Sequence, residues 1–453
     1  MKNIILIVAT LVTNQLFSQA CFSSSVEFGD RIGPIAVRCA DLNYDNNLDV
    51  IVANNNGASL SIFLGDGSGE FTSETNYSLG GYPVSIAISD FNSDSIFDIV
   101  TANASSNKIT ILMGNNQGTY DSPVDVPVGL YPYSVINEDF NGDNKQDLAV
   151  ANSNENTVSI LLGTGTGSFE TALVYDVDDT PICLISSDLN SDGKPDIITA
   201  NRGSNNVSVL LGNGDGTFGE QNKFSTEEGT FSLTSADFNG DSIPDIATAN
   251  YYSNNKVSVL LGIGNGEFSP VTNYTISGYN PQSIISADFN KDGNIDLATS
   301  NSSSNSVSVL LGTGNGGFYL STENEFAVGG WPYCSASGDF NGDSLIDIVT
   351  SNNTTDNVSI LLNCKSFVGL PNLYKSKEID VYPNPSKGQL YINYSQANEH
   401  KISVFDANGR MIINKQHIYL TNHIDLSYLD DGVYYLSIES EKDIFNEKII
   451  IMR

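Results

Sequence analysis

Basic side chains are scarce in this chain, with 20 Lys and Arg against 53 Asp and Glu and a formal net charge of −33. A surface of that sign repels nucleic acid and anionic lipid, so neither is expected as a partner. Histidine is nearly missing: the three in the chain, at 400, 417 and 423, all lie near its C-terminus. The first 364 residues therefore offer no imidazole for acid–base or nucleophilic chemistry, and no catalytic constellation stands out there. Beyond the N-terminus no stretch approaches 18 apolar residues, so no membrane span is expected. Nor does any window of 11 or more residues carry helical periodicity. Disorder, which strong acidity can signal, is disfavoured because 40% of residues are hydrophobic and fall in regular runs.

The N-terminus has the pattern of a signal peptide over 1–20: Lys2, an apolar run from Ile4 to Val12, and small residues at Ser18-Gln19-Ala20. Ala20-Cys21 raises lipidation as an alternative, but Phe17 and Ser18 do not suit a lipobox.

One motif recurs seven times, Asp-x-Asn-x-Asp-x-x-x-Asp, starting at Asp41, Asp90, Asp139, Asp188, Asp237, Asp288 and Asp339, with spacings of 49, 49, 49, 49, 51 and 51. A period near 50 built from short strands predicts one four-stranded blade per repeat, hence a seven-bladed β-propeller over 21–364 in an all-β protein. An apolar run follows each motif, and an Asn stands thirteen residues past each first Asp, at 54, 103, 152, 201, 250, 301 and 352. A β-branched strand such as 207–211 comes next, then a Gly-rich hairpin leading to an aromatic, as in Gly212 to Phe218. The glycines at 163, 165 and 167 are not a dinucleotide loop, because the segment recurs in other repeats and leads into a strand.

Each motif offers four side-chain oxygens at alternate positions, 1, 3, 5 and 9, which suits Ca²⁺ completed by a backbone carbonyl at position 7 and water. The expected ligands are Asp41, Asn43, Asp45 and Asp49; Asp90, Asn92, Asp94 and Asp98; Asp139, Asn141, Asp143 and Asp147; Asp188, Asn190, Asp192 and Asp196; Asp237, Asn239, Asp241 and Asp245; Asp288, Asn290, Asp292 and Asp296; and Asp339, Asn341, Asp343 and Asp347. Up to seven structural calcium ions are expected. The loops are not EF-hands, because residue 12 is Val52, Thr101 or Val150 rather than a bidentate Glu. Metal-free Asx turns are the alternative, weakened by the mutual repulsion of 21 clustered carboxylates. Position 2 is apolar throughout and should point inward.

On these residues the repeats resemble the FG-GAP or VCBS repeats of integrin α-subunit propellers and related bacterial proteins. The resemblance implies structural calcium loops on the face opposite the ligand face. Position 3 is Asn here where integrin loops often carry Asp.

After Cys364 the period stops. Residues 365–377 have the character of a linker, and 374–453 carry a net charge of only −2. Residues 378–453 resemble the type A sorting domain of the type IX secretion system. The matching residues are Val381-Tyr382-Pro383-Asn384-Pro385, Gly388 with Leu390 and Ile392, Val404-Phe405-Asp406 with Gly409-Arg410, Ile424-Asp425-Leu426 with Leu429, Gly432-Val433-Tyr434 and Lys448-Ile449-Ile450-Ile451. The resemblance implies a small β-sandwich read by the secretion machinery of a Gram-negative bacterium, and a secreted or cell-surface product.

Repeat seven lacks its hairpin and last strand. Aligned on blade three, Cys21-Phe22 match Ser168-Phe169 and Cys364 matches Thr164. The N-terminal strand is thus expected to complete blade seven, with a Cys21–Cys364 disulfide in place of the turn. Cys39, Cys183 and Cys334 remain, with buried strand positions expected for them.

Seven residues before each motif stands a Pro, replaced by Thr230 in blade five alone. The residue ahead of it varies and includes Tyr82, Tyr131 and Trp331; Arg202, Tyr251 and Tyr252 follow the repeated Asn at the same end of the blades. These six make a candidate ligand face, suited to a glycan or a protein at the cell surface. Recognition or adhesion is the favoured reading. A scaffold within a surface assembly is the alternative, and a glycan-active enzyme using Glu138, Asp176, Asp178 or Asp179 is less favoured.

Overall fold

A computed structural model describes residues 20–29, 31–115, 119–253, 255–364, 379–383, 385–394, 400–406, 411–418, 423–439 and 444–452. The expected signal peptide up to residue 19 and the linker 365–377 lie outside the described residues. Two compact units are distinct, 19–363 and a second that includes 364–453.

The larger unit consists of antiparallel four-stranded sheets. Blade one is Pro34–Ala40, Asp49–Asn54, Ser59–Gly65 and Phe71–Ser78, in spatial order from the inner strand outward. The same unit repeats through 83–127, 132–176, 181–225, 230–275 and 281–327. The seventh sheet holds Pro332–Gly338, Asp347–Asn352 and Asn357–Leu361, and its outer strand is the N-terminal segment Val26–Phe28. The seven inner strands neighbour one another in chain order, and the seventh returns to the first. This closed ring is a β-propeller.

The second strand of each blade explains why the ring is rigid. All six residues of Asp49–Asn54 are buried, with no polar face. Val50 and Val52 point into the core shared with blade seven, and Ile51 and Ala53 into the core shared with blade two. A strand buried on both faces carries a continuous apolar run instead of an alternating one. One such core fills each interface round the ring. Each fully buried Val, Leu or Ile adds about 1.5–3 kcal/mol relative to exposure.

The repeated Asn ends the second strand and pairs with the first residue of the inner strand, as Asn54 does with Pro34. Its amide donates to a buried hydroxyl on the third strand: Asn54 to Ser61, Asn152 to Ser159 and Asn352 to Ser359, each at 2.8 Å. These Asn residues therefore tie strands together at the end of the blade away from the acidic loop.

Blade seven closes as its neighbours do. Phe22 pairs with Asn363 where Phe169 pairs with Gly163 in blade three. The Ser23 amide donates to the Leu362 carbonyl at 2.8 Å, as Glu170 does to Leu162. Cys21 and Cys364 are both disulfide-bonded, whereas Cys39, Cys183 and Cys334 are free. These three are half-buried along the inner strands rather than fully buried. Burial pushes the Cys39 thiol up to about 11, with Arg38 opposing the shift, so it stays protonated.

In the C-terminal unit a three-stranded sheet joins Ile379–Tyr382, Gln389–Tyr394 and His423–Asp425. A four-stranded sheet joins Met411–Ile418, His400–Asp406, Gly432–Glu439 and Ile444–Ile451. Both contribute to one core containing Leu390, Ile392, Val404, Leu436 and Ile449. Asn384, Gly409 and Arg410 of the expected sorting motif lie outside the described residues.

Replacing Cys21 and Cys364 together by Ser should lower unfolding stability by roughly 4 kcal/mol or more, given the length of chain the bridge closes. Urea denaturation under non-reducing conditions measures this. Equal midpoints for the parent and the double variant would contradict a role for the bridge in holding blade seven shut.

Candidate metal loops and the opposite face

The acidic loops have one conformation, set by backbone chirality. In every loop, positions 4 and 6 have positive φ: Tyr44 at 60° and Asn46 at 68° in blade one, Lys291 at 60° and Gly293 at 88° in blade six. Alternating left-handed residues curl the chain so that the odd positions share its inner side. The Asp41 carboxylate accepts the amides of Asp45 and Asn46, Asn43 Oδ1 accepts Asp45 N–H, and Asp45 Oδ1 accepts Asn47 N–H. Position 2 is buried in all seven loops, from Leu42 at 1% exposure to Phe340 at 3%, and anchors each loop to the cores.

Position 9 differs from the others. Asp49, Asp98, Asp147, Asp196, Asp245, Asp296 and Asp347 have no exposed surface and open the second strand. Both carboxylate oxygens of Asp49 are engaged, one by the Leu42 amide at 2.8 Å and the other by the Gly65 amide at 2.9 Å. The pattern repeats in each blade; in blade seven Asn363 replaces the glycine and donates at 2.7 Å. Glycine is required at the other six because a Cβ on Gly65 would meet the Leu48 carbonyl at 2.2 Å. Sequence reasoning saw position 9 only as a ligand and missed this second role.

Burial raises the pKa of these seven groups, and the carboxylates at positions 5 and 1 raise it further. Asp49, Asp147, Asp245 and Asp347 stand at about 6 and Asp296 at about 7. Three carboxylates in each loop are thus near enough to repel. Among the described residues no three ionisable side chains gather around one point as a metal site would draw them. In two loops a lysine pairs with position 5, Lys145 with Asp143 at 2.9 Å and Lys194 with Asp192 at 3.6 Å. The donor set, all hard oxygen, suits Ca²⁺.

The antiparallel register carries the residues before the inner strands to the other pole. Six of these have φ between 57° and 77°: Gly33, Tyr131, Thr180, Gly229, Asn280 and Trp331. Their amides are held by the preceding blade: Asn107 Oδ1 accepts Tyr131 N–H, Asn156 accepts Thr180, Asn205 accepts Gly229 and Asn305 accepts Trp331. Asp356 does the same for Gly33. Blade one has Ala58 at that turn, with no side-chain acceptor, and Tyr82 lies outside the left-handed set.

Tyr82, Tyr131 and Tyr252 are exposed on this pole, at 48%, 37% and 50%, and Trp331, Tyr251 and Arg202 are half-buried. Sequence reasoning missed the residues after the prolines, which enclose the axis. Ile35 and Val84 are buried there with Tyr133 and Tyr333 packed against their cluster, and the two phenol hydroxyls hydrogen-bond across the ring. Phe231 packs edge-on to Tyr333 at 5.6 Å and against Tyr251 at 5.7 Å. Tyr131 stacks on Tyr133 at 6.2 Å, and the Arg202 guanidinium lies 5.9 Å from the Phe231 ring centre. The signal was available: the residue after each Pro, or after Thr230 in blade five, is apolar in three blades, aromatic in three and Gln282 in one. Three of the candidate enzymatic acids are each engaged by a different neighbour. Glu138 accepts from Ser186, Asp178 from Asn206 and Lys223, and Asp179 from Asn156.

Family models match both units. An FG-GAP-like repeat matches residues 41–101, 188–248, 237–299 and 288–350, an FG-GAP repeat matches 131–169, and a secretion system C-terminal sorting domain matches 380–452. No curated protein matches in sequence. Among solved structures, BBS1N, from its lead-soaked complex with ARL6DN, is similar with a TM-score of 0.54 at 14% identity, covering 79% of this chain and 99% of that one. The periplasmic gluconolactonase PpgL of Pseudomonas aeruginosa has a TM-score of 0.53 at 15% identity, covering 66% and 86%. At such identities the likeness is one of fold. The sorting domain marks a product secreted or displayed at the cell surface through type IX secretion, whose machinery is its partner. The chain belongs to the FG-GAP-repeat β-propeller proteins and carries a secretion-system C-terminal sorting domain.

Proposed function

We propose that this exported propeller is a calcium-dependent recognition module, with metal at one pole and a glycan or protein ligand on the aromatic pole. The observation that carries the reading is backbone strain. Gly33 and Gly229 occupy the left-handed position before the inner strand at no steric cost, yet Tyr131, Thr180 and Trp331 occupy it too. Large or β-branched side chains there cost on the order of 1–3 kcal/mol each, and such outliers concentrate at functional sites. The fold is met by glycine; the aromatic side chains answer to something outside it.

Calcium would rest on the side chains at positions 1, 3, 5 and 9 and would supply the charge that offsets their repulsion. Only the folded chain assembles these groups, so calcium stabilises it by about 2.7 kcal/mol per site at a hundredfold excess over Kd.

Two outcomes follow. Without metal, Asp49, Asp147, Asp245 and Asp347 hold their protons in the folded chain up to about pH 6, and Asp296 to about 7, whereas the unfolded chain loses them near 3.8. The folded form binds more protons in that window, so stability is highest below it and falls as pH rises through it. In EDTA, melting should occur at higher temperature at pH 5 than at pH 7.5, and calcium should raise the pH 7.5 value most. Identical melting with calcium and with EDTA at pH 7.5 would rule the metal out.

The second outcome concerns Trp331→Gly. Melting should stay within a few degrees of the parent, because glycine suits φ 57°. Binding to the strongest ligands on a glycan array probed with the calcium-loaded protein should fall at least tenfold. A lower melting temperature with binding intact would assign Trp331 to packing.

A further inference from the structure

Residues 21–364 hold nine Lys and Arg against 42 Asp and Glu, so a cation without an acidic partner stands out. Arg31, Lys108, Lys145, Lys194 and Lys223 each pair with a carboxylate. Among the described residues Arg38, Arg202, Lys256 and Lys291 show no carboxylate partner; Arg38 and Lys291 donate to backbone carbonyls and Lys256 to the Thr275 hydroxyl, whereas Arg202 lies against an aromatic ring. Its guanidinium lies by Phe231, half-buried, at the mouth of the ring. A second group in the same annulus is unmatched. Gln282 takes in blade six the position held by Phe231 in blade five and Tyr333 in blade seven; it is 5% exposed, and its Oε1 has no donor. Buried polar groups are normally satisfied, so the open Gln282 acceptor is available to a donor that arrives at the annulus from outside.

The mouth thus lacks two things, an anion for Arg202 and a donor for Gln282, beside flat aromatic surface from Tyr131, Tyr251 and Trp331. Resting on the recognition reading above, we infer that the ligand is an acidic sugar, a uronic or sialic acid residue of a glycan. Its carboxylate pairs with the Arg202 guanidinium, which presents a planar fork of donors matched to carboxylate. A ring hydroxyl donates to Gln282, and the apolar face of the pyranose lies on the aromatic rings. A neutral sugar leaves Arg202 unpaired. The surrounding negative field disfavours anions in general, so selectivity has to come from this one desolvated pair together with the stacking.

The sole tryptophan of the chain, Trp331, belongs to this face, so its fluorescence reports binding here and not chelation at the acidic loops. The full calcium-saturated protein is titrated with oligosaccharides ending in glucuronic acid or sialic acid, with their methyl esters, and with neutral glucose oligosaccharides. The acid forms should change Trp331 emission and bind at least tenfold more tightly than the esters or neutral sugars. Arg202→Gln should erase that preference while melting as the parent does, and Arg202→Lys should restore part of it. Equal affinity for acid and ester, or a preference that survives Arg202→Gln, overturns the inference. If no sugar alters the emission but a protein partner does, the acidic-sugar inference falls and the recognition reading stands. A ligand that binds with Trp331 emission unchanged and affinity intact in Trp331→Gly removes both.

Discussion

Seven aspartates without exposed surface hold the propeller together at the start of each second strand. Each accepts one amide from the acidic loop and one from the strand pair beyond, so a single carboxylate fixes the loop, the inner strand and the third strand relative to one another. The glycine that donates to it is dictated by the same contact, since a Cβ there would meet the neighbouring carbonyl. Much of the repeat follows from it: apolar position 2 just inside the loop, fully buried second strands, and Asn–Ser ties at their far ends. The cost is a charge in a buried place. Burial and two neighbouring carboxylates push the group upward, and the proposed hard cation would offset that cost.

The two poles divide the labour. At the acidic pole positions 1, 3, 5 and 9 are the same in every blade and position 2 stays apolar, because each of these has a structural task. At the other pole six of the seven blades share one left-handed backbone position, and in five of them an Asx side chain of the preceding blade holds its amide. The side chains there are free to differ, and they do: Gly33, Tyr131, Thr180 and Trp331 share one backbone conformation. A ring of equivalent, rigidly held positions is a good platform for recognition, because a residue can change without moving its neighbours.

Much of this was legible in the sequence. Strand order, the inward turn of Leu42 and Phe140 and the completion of blade seven by the N-terminal segment all come from aligning the repeat with itself, where period and phase are unambiguous. The poles were legible too, because antiparallel strands fix which residues share an end. What the sequence did not disclose were contacts between blades. That Asn107 holds Tyr131, or that Tyr133 meets Tyr333 across the axis, depends on ring geometry that no local pattern carries. The double role of Asp49 was hidden for a related reason, since its second donor lies sixteen residues on, at a glycine that looked like hairpin chemistry alone.

The most direct test of the account is a crystal structure of the mature propeller grown with calcium, with anomalous difference maps locating the ions. The account predicts peaks inside the acidic loops, up to seven, each bounded by the side chains at positions 1, 3, 5 and 9. Loops that stay free of metal at saturating calcium, with their carboxylates still held by backbone amides alone, would contradict it.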